Sequence, residues 1–348
     1  MKALVTGANG LIGCNVVRAL LQNGHTVRAF VRKSSDLRSL EGLDVELAFG
    51  DILDSGTLAP AMKGCDTLFH IAAVYSYWGH SAAELMDTAR HGTLQVLEAA
   101  AKAGISKVVF TSSSAVRGFS LNKKTISENQ SADIQERSGY VNSKIAQEQA
   151  AFEFAEKHGL DVRAVCPTVT VGAPDYNLTE SNHIIVRYLK DVLKATWLGG
   201  CNIVSVKDVA AAHLLVAEKG SRGENYIAGS ENLEWQTVHR MISELAGLPG
   251  PYMTANHTSS LLAAAWYELA GKLTQTEPTT TLEQAKMVGR YYWYDHSKLA
   301  ALGYQPMPSR QALTEAISWL AGSAHIPPSV RAMMQLSEEV YDFRKKTD

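Results

Sequence analysis

Apolar residues follow two spacings along the first two thirds of the chain. Short apolar runs near residues 2 to 6, 26 to 31, 44 to 49, 66 to 70, 106 to 112 and 161 to 166 predict strands. Between them, apolar residues recur on a helical period, as in Val16, Val17, Leu20 and Leu21, or in the span Ala83 to Lys102 with Val96, Leu97, Ala99 and Ala100. Strands alternating with helices predict an α/β chain built on a doubly wound parallel sheet, since right-handed crossovers place helices on both faces. From Gly172 the pattern loosens, and Pro174, Asn177 and Asn182 mark loops. Asp208 to Lys219 reads as a helix returning to the core. After Asn232 the chain becomes mainly helical and aromatic, punctuated by Pro249 and Pro251, and reads as a lid over the sheet's carboxyl edge.

The first strand runs directly into Thr6, Gly7, Ala8, Asn9, Gly10, Leu11, Ile12 and Gly13, and the next helix follows. A strand, a three-glycine turn and a helix N-terminus present bare backbone amides to a pyrophosphate and let it approach closely. Thr26 to Val31 completes the βαβ unit, so the turn reads as a dinucleotide cradle in a Rossmann fold. The expected organisation is a cofactor domain over 1–172, rejoined by about 203–230. A smaller, mainly helical substrate region covers 173–202 and 231–324. Residues 325–348, with Pro327 and Pro328 before the helical-looking Val330 to Lys346, form a charged C-terminal appendage and a candidate subunit contact.

The residue after the second strand selects the cofactor. An NAD site usually places Asp or Glu there, accepting hydrogen bonds from the ribose hydroxyls. This chain has Arg32 and Lys33, followed by Ser34 and Ser35, a set suited to a ribose 2′-phosphate. NADP, as NADPH, is therefore the expected cofactor, set against a merely solvated basic loop.

A second signal is Tyr140, Val141, Asn142, Ser143, Lys144. Four residues apart on a helix, phenol and ammonium share a face, and the ammonium is expected to lower the phenol pKa towards the range useful in acid-base work. Upstream, Val108, Val109, Phe110 and Thr111 lead into Ser112, Ser113 and Ser114 at a strand's carboxyl end, where ligands of open parallel sheets sit. Strand alternation would put Ser113 on the side of Thr111.

Together, the glycine pattern, the serine run and the Tyr140/Lys144 pair resemble an extended short-chain dehydrogenase/reductase. Within that family the chain looks closest to the dihydroflavonol-reductase-like group, including proteins labelled hopanoid-associated sugar epimerases. Val206 to Ala210 fits the strand-to-helix join of that group. The resemblance implies that Tyr140 is the general acid or base, that Lys144 binds ribose hydroxyls, and that Ser113 holds the substrate oxygen, with Ser112 and Ser114 as neighbours that register alone does not exclude. It implies cofactor contacts at Gly7, Asn9, Gly10, Leu11, Ile12 and Gly13 and an adenine-contacting turn at Asp51 and Ile52. It further places Ala72 and Ala73, after His70, beneath the nicotinamide ribose, and Pro167, Thr168 and Val169 beside the carboxamide. Two departures stand out. Ala89 replaces an asparagine common in relatives, leaving any proton relay to water or Lys144. Cys166 replaces the asparagine of many sugar-nucleotide enzymes, which weakens a nucleotide-sugar reading.

The 348 residues, 46% of them hydrophobic, suffice for a large core, and a net charge of -2 gives no electrostatic case for nucleic acid. Met1 and Lys2 lead straight into the first strand, and the apolar run Leu261 to Tyr267 is too short to span a bilayer, so a cytoplasmic protein without membrane contact is expected. Cys14, Cys65, Cys166 and Cys201 are too scattered for a metal motif, and the 11 histidines form no ligand cluster, so free thiols and no metal are expected. The expected partner is a small carbonyl compound, with a homodimer left open.

Tyr75, Tyr77 and Trp78 after the fourth strand, and His183, Tyr188 and Trp197 after the sixth, are expected to wall the pocket with Ser114, which suits an aromatic or apolar substrate. Tyr291 to Tyr294 reads as packing between helices. Three functions differ in class. A carbonyl reductase is favoured; a sugar-nucleotide epimerase or dehydratase recycling a tightly held NAD(P) is the alternative. A non-catalytic dinucleotide sensor would keep the glycine turn but typically lose the Tyr/Lys pair.

Overall fold

A computed structural model describes residues 1–72, 82–132, 138–274 and 280–347. The chain begins with β1 (Lys2–Thr6), α1 (Leu11–Gln22), β2 (Thr26–Val31), β3 (Glu46–Phe49), α2 (Ser55–Met62), β4 (Thr67–His70) and α3 (Ala82–Lys102). It continues with β5 (Lys107–Thr111), α4 (Gly139–His158), β6 (Asp161–Pro167), β7 (Val169–Val171), α5 (Glu180–Lys190), β8 (Ala195–Trp197), β9 (Gly200–Ser205), α6 (Val206–Lys219) and β10 (Asn225–Ala228). Then come β11 (Glu231–Glu234), α7 (Trp235–Ala246), β12 (Met253–Ala255), α8 (His257–Thr274) and α9 (Leu282–Ala285). The chain closes with β13 (Tyr291–Tyr292), α10 (Ser297–Ala300), α11 (Ser309–Gly322), α12 (Pro328–Met333) and α13 (Glu338–Thr347).

Seven strands form one sheet in the order β10-β6-β5-β4-β1-β2-β3, every pair parallel. The order reverses between β1 and β4, the switch point where α/β sheets open a ligand crevice. Strand alternation divides the core. Ala3 and Val5 of β1 face the layer of α1 and α6, whereas Leu4 joins Leu58, Met62, Val96 and Phe154 from α2, α3 and α4. A strand buried on both faces reads as a continuous apolar run, which is why β1 is so plain in the sequence.

The smaller region has its own core, in which Ile185, Ile203, Trp235, Ile242 and Ile317 pack together. A second sheet runs through it, β11-β9-β13 with β7 on β9, beside a two-stranded β8-β12 pair. These strands and β10 lay outside the sequence pattern: β7, β8, β10, β11, β12 and β13 are two to four residues long and carry too little periodicity, and the six residues of β9 are all buried and do not alternate. The chain end departs from expectation too. In place of one helix over Val330 to Lys346 there are α12 and α13, joined by a segment whose Gln335 and Ser337 amides donate to the Ala246 and Leu245 carbonyls. Val340 is fully buried and Arg344 donates to the Ser318 carbonyl at 2.9 Å, so this end belongs to the smaller region's core.

Candidate functional site at the carboxyl ends of β1, β4, β5 and β6

The glycine turn is shaped by close approach. Gly7 has φ +67°, and a Cβ there would stand 2.8 Å from the Ala72 nitrogen; one on Gly13 would stand 2.0 Å from the Gly7 carbonyl oxygen. Only glycine fits either place. Gly10 caps α1 without a side-chain hydrogen bond, and no acid lies in the first turn, so the amides that open the helix over Leu11, Ile12 and Gly13 meet no carboxylate from their own turn. Such a cradle fits the pyrophosphate of a dinucleotide. Asn9 braces the turn against the loop after β2, its carbonyl accepting from the Ser39 hydroxyl at 2.9 Å and its amide donating to the Asp36 carbonyl.

On that loop Arg32 and Lys33 are exposed, and neither forms an ion pair among the described residues. Asp51 accepts from the Leu53 amide at 2.9 Å, closing a turn beside Ile52 that packs on Gly92 of α3. Thr6 ties β1 to β4: its hydroxyl accepts from the Ile71 and Ala72 amides and therefore gives its own proton to His70 Nδ1 at 2.8 Å. Pro167 ends β6, Thr168 donates to Asn202 Oδ1 at 2.9 Å, and Val169 opens β7 paired with Ile203. Ala73, Tyr75, Tyr77 and Trp78 lie outside the described residues.

The three serines after β5 take three partners. Ser112 donates to the buried Glu148 carboxylate. Ser113 hydrogen-bonds Tyr140, and Ser114 hydrogen-bonds Tyr294. Ser113 is thus the serine the structure brings to Tyr140. It does not share a destination with Thr111, whose hydroxyl bonds His213 of α6 at 2.8 Å. Alternation lapses because β5 ends at Thr111 and the chain turns into a short 3-10 helix, Ser114–Arg117.

Tyr140 and Lys144 sit near the start of α4, whose entry is fixed by Ser138 accepting from the Val141 amide at 3.2 Å. Lys144 is buried, donates to the Thr111 carbonyl at 3.2 Å and to Gln147 at 3.1 Å, and has its pKa lowered to about 8 by burial. The Tyr140 pKa departs from the sequence expectation: burial raises it, and among the described residues the Ser113 hydrogen bond opposes the rise. Turned to Thr111 and Gln147, the Lys144 ammonium does not offset that desolvation. The phenol is therefore protonated at neutral pH, the state required of a proton donor.

Beneath these groups lies a polar floor that the sequence reading missed. Arg117 and Glu148 form an ion pair with both side chains buried, and the Cys166 thiol lies 3.9 Å from the carboxylate. Glu148 follows Lys144 by four residues, and a charge on the buried face of a helix was the available signal. Tyr294, read as packing, is buried but also donates to the Gly118 carbonyl at 2.8 Å, bracing the serine turn. Two aromatic wall candidates sit elsewhere. Trp197 packs at 5.3 Å from Trp235 and 4.6 Å from His239 in the smaller region's core, and Tyr188 stacks on His239 at 4.3 Å. Their apolar surface is used in packing. His183 lies on α5, its pKa lowered to about 4 by burial and by nearby Arg187, Lys190 and His325. Among the described residues no helix is long and apolar enough to cross a membrane, and no cluster of three or more His, Cys, Asp or Glu could hold a metal.

Comparison with known proteins places this arrangement. Residues 3–229 match the NAD dependent epimerase/dehydratase family. A Synechocystis protein provisionally named a dihydroflavonol 4-reductase is 35% identical over 92% of this chain and 95% of its own. Cinnamoyl-CoA reductase 1 of Oryza sativa is 30% identical over 93% of this chain and 91% of its own. The crystal structure of gox2253 superposes with a TM-score of 0.83 at 33% identity, covering 94% of this chain and 99% of that one. A Thermus thermophilus UDP-glucose 4-epimerase in complex with NAD, 21% identical, shares the fold with a TM-score of 0.74 over 93% of this chain and 100% of that one. The chain therefore belongs to the NAD dependent epimerase/dehydratase family, the extended short-chain dehydrogenase/reductases.

Proposed function

We propose that the protein is an NADPH-dependent reductase of a ketone or aldehyde carbonyl on an aromatic or otherwise apolar substrate. The observation that carries this reading is the hydrogen-bonded Ser113/Tyr140 pair, with a phenol that burial keeps protonated. Gly7, Gly10 and Gly13 with the first turn of α1 would hold the pyrophosphate, Asp51 and Ile52 the adenine, and Arg32 and Lys33 the 2′-phosphate. Ala72, Pro167, Thr168 and Val169 would line the nicotinamide end. The bound cofactor supplies the hydride. Ser113 holds the carbonyl oxygen and Tyr140 gives it a proton, while Lys144 binds the ribose hydroxyls. The aromatic assignment draws on relatives named for dihydroflavonol and cinnamoyl-CoA, and on Cys166, which offers a nucleotide sugar no amide.

The test is to purify the protein, record any retained nicotinamide absorbance, and follow NADPH oxidation with aromatic and aliphatic ketones and aldehydes alongside nucleotide sugars. Steady oxidation with a carbonyl compound is expected. Retained NAD with an isomerised nucleotide sugar and no NADPH loss would make the protein an epimerase.

Cofactor choice has its own check. Arg32→Ala should raise KM for NADPH roughly 10- to 100-fold, the equivalent of a lost charge-assisted contact of about 1.5–3 kcal/mol, and leave KM for NADH nearly unchanged. Equal effects on both cofactors would remove Arg32 from the 2′-phosphate.

A further inference from the structure

More than half of the large apolar side chains that stand exposed among the described residues come from three segments of the smaller region, 192–198, 252–273 and Met287. Backbone hydrogen bonds draw these segments together. The Tyr252 amide donates to the Lys194 carbonyl, the Leu198 amide to the Ala255 carbonyl, and the Gly289 amide to the Leu198 carbonyl. Helix α8 carries the largest share. Its Leu262, Trp266, Leu269 and Leu273 follow at spacings of four, three and four residues, which aligns them in one stripe, and they are 70%, 68%, 53% and 78% exposed. Ala264, Glu268 and Gly271 hold the opposite face to the protein. Ala264 is fully buried, Gly271 is buried, and Glu268 accepts from the Leu282 amide at 2.7 Å. An amphipathic helix ordinarily turns its apolar stripe to the core, whereas α8 turns its small residues inward and its large ones to solvent. Single exposed leucines are ordinary; a stripe with Val192, Leu193, Tyr252 and Met253 exposed on the adjoining segments is an interaction surface. We propose that this face docks on a membrane, with α8 lying in the plane of an anionic bilayer surface and its four-residue stripe turned to the acyl chains.

The charges decide between a bilayer and a second copy. Segments 190–198, 252–274 and 286–290 contain two carboxylates, and both are engaged by the backbone: Asp191 accepts from the Leu193 and Ala195 amides, and Glu268 from that of Leu282. Lys190 and Lys286, close in the chain to Val192 and Met287, are exposed and form no ion pair among the described residues. A second copy seated on this face by two-fold symmetry would bring cations to cations and offer them no free carboxylate. Anionic headgroups supply that countercharge. Tyr252, Trp266 and Tyr267 add amphipathic rings, which favour the headgroup boundary. The run Leu261 to Tyr267 is too short to span a bilayer, but a helix lying in its surface needs no span.

The test uses the full chain and needs no substrate, so its outcome is independent of the reductase reading. Protein is mixed with vesicles of phosphatidylcholine alone, or of phosphatidylcholine with phosphatidylglycerol, and the bound fraction is read by co-sedimentation. Binding roughly tenfold tighter to the anionic vesicles is expected. Leu262→Glu with Leu269→Glu should weaken it by roughly tenfold or more, and Lys190→Gln or Lys286→Gln by about fivefold each. Bromine-labelled acyl chains should quench tryptophan emission, and Trp266→Phe should remove most of that quenching. Circular dichroism checks that each variant folds; if the double replacement does not, Trp266→Ser alone replaces it and should also weaken binding. Equal affinity for the two vesicles, no binding to either, or binding untouched by the stripe variants overturns the proposal. Light scattering without lipid that shows the wild type self-associating and the double variant not would give the face to a second copy and overturn it as well.

Discussion

Tyr140→Phe is expected to cut carbonyl reduction by a factor of order a hundred or more, the usual scale for a positioned acid, while leaving NADPH binding intact. The ring still packs against its neighbours, and the glycine turn proposed to hold the pyrophosphate lies between β1 and α1, separate from α4. What is lost is the hydroxyl and its bond to Ser113. A buried neutral hydrogen bond contributes about 1 kcal/mol, so the thermal midpoint should move by only a few degrees. Turnover, NADPH fluorescence on binding and thermal melting separate the three effects. Near wild-type turnover with normal cofactor binding would exclude Tyr140 as the acid.

Much of this site is legible in the sequence because its parts sit where periodicity changes. β1 runs into glycines, β5 runs into serines, and Tyr140 and Lys144 lie one turn apart on a helix. Each is a local signal. What the sequence does not carry is how the parts face one another. Three consecutive serines look alike in a string, yet Ser112, Ser113 and Ser114 go to Glu148, Tyr140 and Tyr294, on partners 27 to 180 residues away. The direction of the Tyr140 pKa was misread for the same reason. Spacing puts Lys144 on the right face, but only packing shows its ammonium turned to the Thr111 carbonyl. The aromatic residues mislead most, since Trp197 and Tyr188 obey the same burial preference whether they wall a pocket or fill the smaller region's core. The short strands β7, β11 and β13 leave no periodic trace, and the six residues of β9, which organises the second sheet, are all buried and do not alternate.

Acid should destabilise the protein from pH 6.5 downward, well above the range in which carboxylates titrate. His70, His213 and His239 are buried, and burial lowers their pKa values to about 3, about 4 and about 3. Each is built in as a neutral ring. His213 donates from Nδ1 to the Val209 carbonyl at 2.7 Å and accepts the Thr111 hydroxyl at Nε2, so β5 and α6 are joined through it. His239 stacks between Tyr188 and Trp235, with Nδ1 on Thr196. His70 takes the Thr6 proton behind the glycine turn. The unfolded chain binds protons at these histidines below their ordinary pKa of 6.5 while the folded chain does not, so stability is complete above 6.5 and is lost progressively as pH falls towards about 4 for His213 and about 3 for His70 and His239. At pH 5 each histidine accounts for a loss of roughly 2 kcal/mol, and the three together for about 6, comparable with the whole stability of many domains. Thermal melts between pH 7.5 and 5 should show a midpoint falling by ten degrees or more on the usual scale of about 2–4 °C per kcal/mol. His213→Gln, which leaves an uncharged group between Val209 and Thr111, should flatten that fall by about a third of its free energy. A midpoint constant from pH 7.5 to 5 would mean that the three rings accept protons without unfolding, and that their burial does not govern the acid limit of the fold.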